Sequence, residues 1–167
     1  MLPSKGGYST DSLGGGRKDM TDGFLADIYV LADDRSAYFI NSFLNEFLPE
    51  REPACDDWFI PEYSDEPELI ITSVDELLSY CETHSKVTQR SYWNNTQEKG
   101  EPRSAHVFYL SEGKIILGLS TDDESLEQPL LESLKAFART DLGYITYECP
   151  PEDTVGEFTR MAQATQQ

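Results

Sequence analysis

The chain has 167 residues, with 31 Asp and Glu against 13 Lys and Arg, and so a formal charge of −18 at pH 7. That excess of acid argues against a nucleic-acid binder, whose phosphate contacts draw on clustered Lys and Arg, and against docking on an anionic membrane surface. With 38% hydrophobic and 11% aromatic residues, the chain has enough apolar material for one folded domain.

Residues 1–23 hold six glycines among Ser, Thr and Asp, without an apolar run, and read as a flexible Gly-rich tail. No apolar segment of the secretory type stands near the N-terminus, and none reaches the roughly 18 residues of a membrane helix. Three cysteines, Cys55, Cys81 and Cys149, are too few for a disulfide framework and predict a reducing, cytoplasmic setting. The tail's charges cancel, so the whole −18 belongs to residues 24–167, predicted to form a single domain.

Within that domain, residues 24–32 are rich in strand formers, and Asp33 or Asp34 could cap the helix that follows. Ile40, Phe43, Leu44, Phe47 and Leu48 recur with helical period, and Pro49 stops them. From Glu50 to Pro67 three prolines and many carboxylates surround Trp58-Phe59-Ile60 and Tyr63, and the segment reads as one long loop pinned by aromatics. A short strand over 69–72 leads to Ser73-Val74-Asp75-Glu76, a capping box for a second helix with Leu77, Leu78 and Cys81 inward.

A strand over 87–94 and a hairpin over 105–110 and 114–120 come next. The acids at 122–124 favour the start of a third helix, with Leu130, Leu131, Leu134 and Phe137 buried and Gly143 placed to end it. Residues 144–149 alternate as a last strand, and Thr154-Val155-Gly156-Glu157 caps a terminal helix. The order predicts an α+β fold, a mixed and mainly antiparallel sheet with three to four helices packed on one face.

Catalytic signatures are missing from this pattern. Gly14-Gly15-Gly16-Arg17-Lys18 lacks the spacing of a phosphate loop, and Gly118-Leu119-Ser120 lacks the second glycine of a nucleophile elbow. Cys81 and His84 stand three apart on one helix, half of a metal site without a second pair, so neither metal nor cofactor is expected. The bland account makes Cys81 a core residue and His84 a complement to the helix C-terminus.

Charge is the informative signal. Residues 45–76 hold eleven carboxylates against Arg51 alone, whereas residues 86–114 are slightly basic. Glu50, Glu52, Asp56, Asp57, Glu62, Asp65 and Glu66 would steer a positive surface, with Trp58 and Tyr63 as anchors. The expectation is a non-enzymatic binding protein that neutralises a basic protein partner, such as a toxin or nuclease met by a bacterial immunity protein or antitoxin. The alternative is a small enzyme or ligand-binding domain whose pocket gathers Cys81, His84, His106, Tyr92 and Trp93. Convergence of those side chains would favour it. Because Tyr92 and Trp93 adjoin on a strand, they should point to opposite faces.

Overall fold

The computed structural model describes residues 25–166, so the glycine-rich tail over residues 1–23 lies outside the described residues. The chain runs β1 (Ala26–Ala32), α1 (Ala37–Phe47), β2 (Arg51–Pro53), β3 (Trp58–Ile60), β4 (Leu69–Ile71) and α2 (Val74–Thr83). It continues with β5 (Gln89–Asn95), β6 (Ser104–Tyr109), β7 (Ile115–Thr121), α3 (Glu127–Ala138), β8 (Gly143–Tyr147) and α4 (Val155–Ala164). Six strands form an antiparallel sheet in the order β2-β5-β6-β7-β1-β8, and β3 and β4 pair separately as a two-stranded ribbon. This is the α+β domain that the element order predicts.

Alternation along the strands decides what each face buries. Ile28, Val30, Leu117, Val107 and Trp93 face one way and meet Phe43, Leu44, Leu77, Leu78 and Leu134 from α1, α2 and α3. Trp58, Ile60 and Ile71 of the small ribbon join that core. Tyr29, Leu31, Phe108, Ile116 and Tyr144 face the other way, where Phe158 and Ala162 of α4 cover them. Three helices therefore share one face of the sheet, and the fourth lies across the opposite one. Full burial of each large apolar side chain contributes on the order of 2 kcal/mol, which fixes both registers.

Several boundaries differ from the sequence reading. Ser36, not Asp33 or Asp34, caps α1: its hydroxyl accepts from Phe39 N–H at 3.1 Å, while Asp34 accepts from Ser36 N–H. Ser73 and Thr154 cap α2 and α4 as their motifs predict. A single 3₁₀ turn over Glu124–Leu126, capped by Asp123, precedes α3, which ends at Arg139 in the left-handed conformation. Gly143 does not end that helix. It opens β8, where a Cβ would meet the Tyr29 carbonyl oxygen and Val30 Cγ1 at 2.8 Å, so its small size lets β8 lie close to β1 beneath α3.

The segment 50–67 is not one irregular loop. Arg51–Pro53 pairs with Trp93–Asn95 on the sheet edge, and Trp58–Ile60 pairs with Leu69–Ile71. Three-residue strands leave too short an alternation to register against prolines and acids.

Arg35 ties these layers together with no acidic partner among the described residues. Its guanidinium donates to the carbonyls of Cys81, Leu110, His84 and Val87 at 2.7–2.9 Å and lies over the Tyr109 ring. Two of those carbonyls belong to the C-terminal end of α2, where the helix dipole favours a cation.

Candidate functional site

β2 covers β5 only opposite Trp93–Asn95, and Ala54 N–H extends the pairing by one bond to the Tyr92 carbonyl. Beyond that point the chain leaves the sheet edge and runs through 55–66, held by Gln89 Nε2 donating to the Phe59 carbonyl at 2.9 Å. Between this segment and β5 opens a groove of about 420 Å³. Trp58, Phe59, Tyr63 and Tyr92 give it aromatic walls, Asp57, Glu62 and Asp65 supply carboxylates, and Arg90 is its one basic side chain.

Among the described residues two buried polar atoms in the groove's lining lack a hydrogen-bond partner, Trp58 Nε1 and Glu62 Oε1. An unpaired buried polar atom costs on the order of 1–3 kcal/mol unless a water or a ligand group satisfies it. Burial pushes the Glu62 carboxyl above its usual range, opposed by the nearby Arg90 charge and a hydrogen bond from Thr88. Arg90 itself lies over the Phe108 ring, 5.5 Å from its centroid, and forms no ion pair with Glu62.

Tyr63 is 75% exposed and has a φ of 64°. A bulky side chain in the left-handed region costs about 1 kcal/mol or more and persists where the surroundings impose it. The result is a phenol ring held out at the mouth of the groove. Phe59 and its cross-strand neighbour Ile70 are exposed beside it, as is Tyr92 at 38%.

Of the nine residues that the sequence singles out, Asp57, Trp58, Glu62, Tyr63 and Asp65 line the groove. Asp56 and Glu66 are exposed neighbours along the same segment, whereas Glu50 and Glu52 stand exposed where β2 begins and do not line it. Trp58 is 4% exposed and forms part of the core beneath, so Phe59 and Tyr63 present the exposed aromatic surface. Charge and composition pointed to this segment. The contribution of Gln89, Arg90 and Tyr92 was hidden, because it arises from where β2 stops along β5.

The five residues of the alternative pocket do not converge. Cys81 is buried in the core under the three helices, where Arg35 takes its carbonyl. His84 is exposed at the end of α2 and stacks on Tyr80 at 3.8 Å, with its Nδ1 near the Tyr80 carbonyl. Trp93 points into the helix-side core at 1% exposure. Only Tyr92 and His106 meet, edge to face at 5.2 Å on the opposite side of the sheet. Strand alternation and helical spacing separate the rest.

His106 has a different neighbourhood. Its Nε2 lies 3.0 Å from Ser104 Oγ and 3.1 Å from Ser120 Oγ, and Tyr29, Tyr92 and Phe108 surround the ring. Burial pushes its pKa down to about 4, and burial raises that of Asp27, the partner of Ser120. Both serines are bonded within a histidine-bearing network, yet Ser120 is 2% exposed and its proton goes to Asp27 rather than to the imidazole. That is not the arrangement of a base activating a nucleophile.

In the groove the only thiol is Cys55, which donates to the Asp57 carbonyl. Burial and the adjacent Asp57 and Asp56 charges raise its pKa, the reverse of what a nucleophilic cysteine needs. Among the described residues no three His, Cys, Asp or Glu side chains are grouped to hold a metal ion, and no helix is long and apolar enough to cross a membrane. The groove is suited to holding a group by charge and aromatic contact. The chain matches no protein family model, no curated protein and no solved structure.

Proposed function

We propose that this chain is a non-enzymatic binding protein that neutralises or sequesters a basic protein partner, in the manner of a bacterial immunity protein or antitoxin acting on a toxin or nuclease. The observation that carries this reading is the groove, where Asp57, Glu62 and Asp65 stand among Phe59, Tyr63 and Tyr92. A lysine or arginine side chain entering it would meet the carboxylate-bearing residues Asp57, Glu62 and Asp65 and aromatic faces, a combination that attracts cations. Around it, Asp56, Glu66 and the other exposed acids would accelerate the encounter and orient it. The unpaired thiols Cys55, Cys81 and Cys149 suit a reducing cytoplasm.

The test compares the wild-type chain with a variant carrying Asp56→Lys, Asp57→Lys, Asp65→Lys and Glu66→Lys. Each is used to capture proteins from native lysate, which are identified by mass spectrometry and then measured singly. The expected partner is basic, binds the variant at least tenfold more weakly, and loses affinity between about 50 and 500 mM salt as screening shortens the reach of the acids. A partner held equally by both chains, with affinity indifferent to salt, overturns the proposal.

A further inference from the structure

The two edges of the large sheet differ in kind. β2 carries Arg51, Glu52 and Pro53, two charges and a residue without an N–H, a composition that discourages another strand from pairing. β8 reads Gly143-Tyr144-Ile145-Thr146-Tyr147 and has neither charge nor proline. Its pairing with β1 determines which backbone groups remain available. Leu31 N–H donates to the Leu142 carbonyl and Glu148 N–H to the Leu25 carbonyl. In an antiparallel ladder the bonded pairs then fall on even-numbered residues of β8, and the N–H and C=O groups of Gly143, Ile145 and Tyr147 point away from β1, with Gly143 buried, Ile145 half-buried and Tyr147 exposed. Among the described residues no backbone group pairs with them.

This open edge lies in a groove of about 390 Å³, walled by Gln128, Leu131 and Lys135 of α3 and by Thr165 and Gln166 after α4. A strand added there would lie about 4.8 Å from β8, sheltered by helices of both faces. Charge selects the occupant. The first turn of α3 is held against the edge by Tyr147 Oη donating to Glu127 Oε1 at 2.6 Å, with Glu124 and Glu132 on the same segment. Asp141 and Glu148 stand just before and just after β8, against Lys135 and Arg139 as the nearby cations. A second copy of this chain would bring a further −18 to the contact.

We infer that β8 is a docking edge for an extended segment of a partner protein bearing lysine or arginine, which adds to the sheet as a seventh strand. Backbone hydrogen bonds to Gly143, Ile145 and Tyr147 hold the segment, and the flanking acids select basic side chains along it. This edge and the groove at 55–66 are separate sites, so either stands if the other fails.

The test titrates the isotopically labelled full chain with a synthetic eight-residue peptide of alternating Lys and Thr, and with its Glu-for-Lys counterpart. The expected result is saturable shifts and slowed hydrogen exchange at the amides of Gly143, Ile145 and Tyr147, with the Lys peptide bound at least tenfold tighter. Tyr147→Pro removes one outward N–H and no ladder bond but also the hydroxyl bond to Glu127, so it is compared with Tyr147→Phe, which loses the hydroxyl bond alone, and should bind at least tenfold more weakly than that variant; Ile145→Pro is the second variant should the first fail to fold. Lysine substitutions at Asp56, Asp57, Asp65 and Glu66 should leave the shifts at β8 in place. Absence of shifts at β8 with millimolar Lys peptide, or equal binding of the Glu peptide, overturns the inference. So does protection of these amides in the free protein, whether by residues 1–24 or, if concentration-dependent, by a second copy.

Discussion

Ser120 Oγ donates a 2.6 Å hydrogen bond to Asp27 Oδ1 in the interior of the sheet face that α4 partly covers. That bond uses the hydroxyl's only proton, so toward His106 Nε2, 3.1 Å away, Ser120 can only accept, and a ring hydrogen on Nε2 is the arrangement that serves both it and Ser104 Oγ at 3.0 Å. Nδ1, buried and unpartnered, is then the bare acceptor. The imidazole is thereby held neutral.

A pH dependence follows, with its sign set by that neutrality. Unfolded, His106 titrates near 6.5; folded, near 4. Between those values the unfolded chain binds a proton that the native state refuses, so stability falls as pH drops through the window, by at most about 3 kcal/mol. Asp27 works in the opposite direction: its raised pKa gives stability that is present at low pH and fades as pH rises above its ordinary 3.8. Urea midpoints measured from pH 7 to pH 4 should fall steadily in the wild type and more shallowly in His106→Gln. Equal slopes would show that the imidazole does not control the window.

Arg35 should be among the least replaceable side chains. Arg35→Met would strand carbonyls of Cys81, Leu110, His84 and Val87 that now share one guanidinium. A loss of about 3 kcal/mol or more is expected in chemical denaturation. Arg35→Lys should recover only part of it, since an ammonium cannot reproduce the planar fork. A loss below about 1 kcal/mol for Arg35→Met would mean that water replaces the guanidinium.

Tyr63→Gly separates binding from folding. The substitution relieves the left-handed backbone at φ 64° but frees the unfolded chain, and the two effects nearly cancel, leaving stability within about 1 kcal/mol of wild type. Affinity for the proposed basic partner should drop at least tenfold as the exposed ring is lost. Unaltered affinity would remove Tyr63 from the interface.

Thiol chemistry should distinguish the three cysteines. Cys81 is buried and its pKa is pushed up to about 12, whereas Cys55 and Cys149 are exposed. Ellman's reagent should label two thiols in the native protein and the third only with unfolding, with the reaction of Cys55 slowed by its raised pKa. Rapid labelling of all three would contradict the burial of Cys81.

Features governed by local rules were legible from the residues alone. The apolar stripe of α1, the caps at Ser73 and Thr154, and the β6–β7 hairpin each follow from a few neighbouring positions. What escaped depends on partners distant in sequence. Gly143 resembles a helix stop until β1 and Leu131 are placed around it. Arg35 looks like an ordinary surface cation until four carbonyls from three later segments surround it. The crossing of α4 to the opposite face has no local signature, because its stripe would suit either side of the sheet. At the groove, the acidic segment was evident from composition, while Gln89, Arg90 and Tyr92 were not.

The small β3–β4 ribbon has a kinetic consequence. With Trp58, Ile60 and Ile71 rooted in the core, the segment that bears the acids and Tyr63 takes its shape when the domain folds. Ordering a residue at the moment of contact would cost about 1–2 kcal/mol each, and here that ordering precedes the encounter. Association need not wait for a loop to find its conformation. Its rate with the proposed basic partner can be set by diffusion and charge, limited by how soon the two molecules collide rather than by how soon one of them rearranges.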